Sequence, residues 1–220
     1  ISEHLYKYGF GQKTYVDLYG EKKGLIPDRA WKSKAKQEPW YPGETLNVGI
    51  GQGYFLATPM QLTLATASLA KDGNTYTPHF LFGDKNSETT EVSMYDYENN
   101  KFSTEMKDIH YLDIVKKAMW RVVNDSGVGT ASRLKKVKNI EFAGKTGTAQ
   151  VYDLDKGKTG TKRLQDHALF ISYAPFESPE IVVTVVVENG GGGSSTAAPI
   201  ARDIIEYYMD KKPTSVSKYE

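Results

Sequence analysis

Cysteine is absent from the 220 residues, which excludes disulfide frameworks, thiolate zinc sites, iron–sulfur clusters and thiol nucleophiles together. An excess of charge is absent as well: 28 Lys and Arg against 27 Asp and Glu leave a net charge of +1. No global field therefore draws nucleic acid or an anionic membrane surface, and any recognition of charge is local. The chain also lacks an initiating methionine, and neither a basic patch nor the apolar core of a signal peptide follows Ile1-Ser2-Glu3-His4. It reads as a piece of something longer. A membrane-spanning run is missing too. Residues 45–70 are uncharged and long enough, but Gly49, Gly51, Gln52, Gly53, Pro59 and Gln61 interrupt them, so a buried loop and helix are expected there. What is present, 39% hydrophobic and 25% charged residues, is the composition of a folded chain with one large domain or two small ones.

Residues 1–47 are rich in Tyr, Lys and Gly, and Pro27, Pro39 and Pro42 break any long periodic element, so a loop-rich segment is expected. A helix is expected from Thr58, as N-cap, and Pro59, in the first helical position, with Leu62, Ala65 and Leu69 at helical spacing up to Lys71-Asp72-Gly73. The polar stretch 83–103 reads as an insertion or long loop. A second helix is expected to open at Thr104, with Leu112, Val115, Met119 and Val122 on one face, and to stop at Asn124-Asp125-Ser126-Gly127.

The last third is rich in β-branched and aromatic residues, and 140–152, 168–174 and 181–188 read as three successive strands. The connection 175–180 is short enough for a hairpin and too short for a parallel crossover, so the sheet is expected to be antiparallel. Beyond Gly190-Gly191-Gly192-Gly193, which permits a tight turn, Ser195 or Thr196 is expected to cap a closing helix with Ile200, Ile204 and Tyr208 on one face. The fold class is α+β: an antiparallel sheet flanked by helices.

The segment Ala143-Gly144-Lys145-Thr146-Gly147-Thr148-Ala149-Gln150 carries the chemistry. Its Gly144-Lys145-Thr146 looks like the end of a phosphate loop, but Asn139 stands where that loop needs its first glycine, and the residues after Thr146 prefer a strand to a helix. Gly157-Lys158-Thr159 fails likewise at Tyr152. A second pattern fits better: Lys145-Thr146-Gly147 resembles the lysine-threonine-glycine strand of the serine acyl-transfer enzymes that react with penicillin. Such a site must attract a peptide's terminal carboxylate and stabilise the oxyanion formed beside it. A lysine supplies fixed positive charge, threonine hydroxyls supply neutral hydrogen bonds, and a glycine lets substrate lie against the strand. Removing one oxyanion donor typically costs about 3 to 4 kcal/mol of barrier.

The likeness extends along the chain through Pro39-Trp40-Tyr41-Pro42-Gly43-Glu44-Thr45, Val48-Gly49-Ile50-Gly51-Gln52-Gly53-Tyr54, Thr58-Pro59-Met60-Gln61, Asp166-His167-Ala168-Leu169-Phe170 and Glu188-Asn189-Gly190-Gly191. In these blocks the sequence resembles the class B penicillin-binding proteins, the peptidoglycan transpeptidases, and among them most the branch serving cell elongation. The resemblance implies that residues 1–212 are the C-terminal part of a penicillin-binding, β-lactamase-like transpeptidase domain and 213–220 a tail. It implies catalytic roles for Lys145 and Thr148, the latter through its backbone N–H. It also implies substrate contacts at Thr146 and Gly147; strand alternation puts Gln150 and Tyr152 on the threonines' face, where they are expected as cleft neighbours. The implied partners are a peptidoglycan stem peptide, β-lactam antibiotics, and a glycosyltransferase and scaffold proteins of the elongation complex. No cofactor is implied, and the implied place is the inner membrane, facing the periplasm, through an N-terminal anchor missing here.

The family's serine-any-asparagine triplet occurs nowhere in the chain, and the expected nucleophile, a serine three residues before a lysine at a helix start, lies upstream of the matched blocks. That spacing does occur at Ser33 and Lys36, Ser68 and Lys71, Ser132 and Lys135, and Ser215 and Lys218, and chance explains each. Without an activated serine no acyl-enzyme forms, so this piece alone is expected to be inactive. Two other classes stay open on the residues: a non-catalytic penicillin-recognising sensor domain and a β-lactamase-related hydrolase. His4, His79, His110 and His167 have no metal-ligand spacing, and Arg133, Lys135, Lys136 and Lys138 read as a solvated face.

Overall fold

The computed structural model describes residues 1–81, 83–85, 92–94, 101–103, 109–134, 136–137, 140–150 and 165–211. Contacts divide the chain into one unit, Ile1–Leu112, and a second, Asp113–Glu220.

The first unit is not simply loop-rich at its start. Three short helices break residues 1–47: α1 Ser2–Lys7, α2 Arg29–Lys36 and α3 Pro42–Gly49. The prolines that argued against long elements define short ones instead, because Pro42 occupies the first turn of α3, where no N–H is needed. Asp28 Oδ1 caps α2 by accepting the Trp31 N–H at 2.6 Å. The expected helix α4 is Pro59–Ala70, closed at its start by a reciprocal pair: the Gln61 N–H reaches Thr58 Oγ1 at 3.1 Å and the Thr58 N–H reaches Gln61 Oε1 at 2.9 Å. Gln61 is fully buried and its amide also donates to the carbonyls of Gln12, at 2.7 Å, and Lys23, at 2.8 Å. One side chain thus ties a helix start to two loops.

The stretch 83–103 contains strand rather than loop alone. β1 Asn74–Tyr76 pairs with β4 Lys101–Ser103, and β2 Gly83–Lys85 with β3 Val92–Met94, both antiparallel. Helix α5 is Ile109–Asn124, and the expected start at Thr104 lies outside the described residues. Leu112 and Met119 are buried as expected, but Val115 is 45% exposed and Val123 takes its place in the core. No described helix is long and apolar enough to cross a membrane.

The second unit is built on β5 Ala143–Ala149, β6 His167–Ala174 and β7 Ile181–Val187, in the order β5-β6-β7 and antiparallel throughout. The hairpin expected between β6 and β7 is present. One sheet face carries Ala168, Phe170, Val183 and Val185 into a core shared with Phe142, Val123 and the closing helix α6, Ala198–Lys211. Burying a side chain such as Phe170 contributes about 1.5–3 kcal/mol. α6 presents Ala198, Ala201 and Ile205 to this core, whereas Ile200, Ile204 and Tyr208 are 42%, 43% and 37% exposed. The shared face foreseen for those three exists but points away, because small alanines allow the helix to approach the sheet more closely. Nor does a hydroxyl cap α6: a π-helical turn, Gly193–Ala197, leads into it, with Ser195 Oγ donating to the Gly192 carbonyl and Thr196 Oγ1 to that of Gly190.

Candidate active site

β5 has one strand neighbour among the described residues, β6, so one row of its backbone groups is outside any ladder. Opposite Phe170 and Ala168 stand Thr146 and Thr148, and opposite Ile171 and Leu169 stand Lys145 and Gly147. Alternation therefore puts Lys145 on the opposite sheet face from the two threonines, which sequence reasoning had grouped in one cleft. The edge position resolves the conflict. The Lys145 ammonium turns back along the strand and donates to the Thr146 carbonyl at 2.7 Å. Lys145 and Thr148 are exposed and Thr146 is half-buried. β5 ends at Ala149, so Gln150 is exposed just beyond the strand and the alternation that placed it stops short of it. Tyr152 lies outside the described residues.

Two close approaches set the path of this strand. A Cβ on Gly144 would overlap the Phe170 ring, so this position is closed to any side chain. A Cβ on Gly193, in the π-helical turn, would meet the carbonyl oxygens of Gly147 and Leu169 at 2.5 Å. The glycine run thus lets the turn press directly on the backbone of Gly147, and Gly147 itself has Leu169 Cβ 3.2 Å from where its own Cβ would be. Ahead of β5, Asn124 Nδ2 donates to the Phe142 carbonyl at 2.9 Å and Trp120 Nε1 to Glu141 at 2.9 Å, tying α5 to the chain entering the strand.

The segment after α5 supplies a residue that sequence reasoning missed. Gly129 packs so tightly on the carbonyls of Arg121 and Val122 that no Cβ fits, and the Ala131 N–H donates to the Val122 carbonyl at 2.9 Å. Between these anchors, Thr130 Oγ1 is 3.0 Å from Thr146 Oγ1. Thr130 also lines a cleft of about 700 Å³ with Ser132, Arg133, Ser194 and Ser195. None of Lys145, Thr146, Gly147, Thr148 and Gln150, the described residues among those singled out from sequence, lines that cleft, and Thr130 links it to Thr146. No spacing rule joins a loop threonine to a strand threonine, and the glycine before Thr130 was the one available hint.

His167 is the first residue of β6, and its Nδ1 accepts the Asn189 N–H at 2.9 Å. That bond leaves the proton of the neutral ring on Nε2. Of the four Ser-to-Lys spacings, Ser33 falls in the last turn of α2 and Ser68 is 1% exposed near the end of α4. Lys135, Ser215 and Lys218 lie outside the described residues.

Comparison with known proteins gives a consistent result. The family described as penicillin binding protein transpeptidase domain matches residues 1–206. The chain is 38% identical over 224 residues to the peptidoglycan D,D-transpeptidase MrdA of Haemophilus influenzae, covering all of this chain and 34% of that protein. It is 36% identical over 190 residues to MrdA of Escherichia coli, covering 83% of this chain and 29% of the other. Among solved structures it is similar to Pseudomonas aeruginosa PBP2 in complex with WCK 5153, at 38% identity and a TM-score of 0.75, over 94% of this chain and 43% of that one. It is also similar to Helicobacter pylori PBP2 in complex with MreC, at 32% identity and a TM-score of 0.74, over 96% of this chain and 36% of that one. The chain spans about a third of the length of the curated relatives it matches.

Proposed function

This chain belongs to the penicillin-binding protein transpeptidase family, and from that premise we propose that it is the C-terminal part of a peptidoglycan D,D-transpeptidase. Residues 1–206, matched by the family, span both units, and we take 1–212 as one portion of the transpeptidase domain. In the proposed reaction a serine outside this chain attacks the carbonyl of the D-alanyl-D-alanine bond in a stem peptide. The C–N bond breaks, the last D-alanine leaves with the proton, and an acyl ester remains. An amine of a neighbouring stem then attacks the ester, the new amide forms, and the serine recovers its proton. β-Lactams acylate the same serine.

The observation that carries this reading is an exposed edge strand bearing lysine, two threonines and a glycine within a domain matched over 1–206. Lys145 supplies the positive field, Thr146 and Thr148 offer hydroxyls to the substrate carboxylate, and Gly147 lets the peptide lie close. The Thr148 N–H is our choice of oxyanion donor. In a strand the N–H and C=O of one residue leave on the same side, and every second residue repeats that side. The Thr148 N–H therefore shares the side of the Thr146 carbonyl, which the Lys145 ammonium reaches. Gln150 and Tyr152 belong to the same proposal as cleft neighbours. By analogy with the Helicobacter pylori complex, a scaffold protein is a proposed partner. A glycosyltransferase, an inner-membrane anchor upstream, a periplasmic location and a role in cell shape complete the proposal. No observation favours the sensor or hydrolase alternatives.

Lys145→Ala in the complete protein tests the assignment. It is expected to slow acylation by a fluorescent penicillin at least tenfold, on the order of 1.4 kcal/mol of barrier, with unfolding unchanged because the side chain is exposed. Wild-type acylation in this variant would remove Lys145 from the mechanism.

A further inference from the structure

We infer that Thr130 is a positioning residue for the carboxylate-binding hydroxyl of Thr146, an inference that rests on the transpeptidase reading above. The two hydroxyl oxygens are 3.0 Å apart, and either can donate. A threonine hydroxyl has one proton and two acceptor sites. To bind a carboxylate, which only accepts, Thr146 must spend that proton on the ligand, so its bond to Thr130 has to run the other way. Thr130 then donates to Thr146 and Thr146 donates to the carboxylate. With the carboxylate bound, the relay holds the Thr146 rotor in its donating orientation and polarises the O–H that the ligand receives.

The loop is built to hold Thr130 there. On one side Gly129 touches the α5 carbonyls of Arg121 and Val122 too closely for any Cβ; on the other Ala131 is 2% exposed and bonded to Val122. On the Thr146 side, Gly144 fits against Phe170 with no space to spare. Both backbones are closely packed, so the hydroxyl contact is set by two independently packed segments.

The test measures acylation of the complete protein by benzylpenicillin and by its methyl ester, which keeps the β-lactam and lacks the anion. Thr130→Val removes the donor at almost constant shape and is expected to lower the second-order acylation rate with benzylpenicillin about five- to tenfold, leaving the rate with the ester unchanged. Thr130→Ser is expected to restore the wild-type rate with both. In a Thr146→Val background, Thr130→Val is expected to add no further loss, since the two act as one unit. Equal loss on acid and ester, an additive double variant, or no loss at all would each overturn the inference. If Thr130→Val proves insoluble, a Thr130→Ser protein as slow as Thr130→Ala would overturn it equally. A wild-type protein that benzylpenicillin does not acylate, or a Lys145→Ala variant as fast as wild type, would instead defeat the underlying functional reading.

Discussion

Gln61 shows how much one side chain can decide. It stands in a sequence block, Thr58-Pro59-Met60-Gln61, whose capping signal was legible, because a threonine before a proline at the start of an apolar run is a local signal. Its second task was not legible: the amide nitrogen serves carbonyls 49 and 38 residues upstream. Replacing it with leucine would leave buried backbone groups unpartnered. Gln61→Leu is expected to destabilise the complete protein by about 3 kcal/mol, read by denaturant unfolding, and a change under about 0.5 kcal/mol would show that water takes over its bonds. At the candidate site the same division holds. Lys145, Thr146, Gly147 and Thr148 were recognisable as a motif, but the lysine's return to the Thr146 carbonyl and the partner Thr130 depend on atoms brought together by packing.

Among the elements, α2 and α3 are joined by charge. Lys32 is 2% exposed and its ammonium meets Glu44 at 2.6 Å and Glu38 at 3.4 Å, with the Tyr41 ring 4.4 Å below. Desolvation opposes the ammonium's charge, but the hydrogen bonds it donates to Glu44 and Glu38 prevail and hold the Lys32 pKa above its ordinary value. The Lys32 hydrogen bond, then the Tyr41 N–H, hold the Glu44 carboxyl below its ordinary value. Because the Glu44 value is lower when folded, its stabilisation is complete above the unfolded value of about 4.3 and fades as pH falls through the folded one. The Lys32 value is higher when folded, so its stabilisation is complete below about 10.4 and fades as pH rises through the folded value. The melting temperature of the complete protein is therefore expected to drop more between pH 7 and pH 3 in the wild type than in Glu44→Gln. Parallel drops would show that the clasp does not contribute. The helices of this region escaped the sequence reading because each is eight residues or fewer, too short for a hydrophobic period to stand out from its prolines.

At the scale of the molecule, the proposal makes the strand and its oxyanion donor one half of a catalytic apparatus whose serine lies elsewhere. This piece alone is expected to take up no fluorescent penicillin, whereas the complete protein is expected to be labelled stably. Labelling of the piece would place a nucleophile within it, and rapid loss of label from the complete protein would favour hydrolysis over transfer. The three strand runs, their antiparallel sense and the helices flanking the sheet were readable from composition and connection length, since β-branched runs and a short hairpin leave few arrangements open. Which face of α6 meets the sheet was not. Both its faces carry apolar residues, and the choice of Ala198, Ala201 and Ile205 over Ile200, Ile204 and Tyr208 rests on how closely backbone can approach backbone. Sequence by itself determined the local features of this protein: caps, strand runs, and a lysine-threonine-glycine motif whose chemistry is written in residue type. Tertiary structure alone decided which hydroxyls meet, which helix face is buried and where the lysine ammonium rests, because those depend on distances between segments far apart in the chain, and no local pattern encodes such distances.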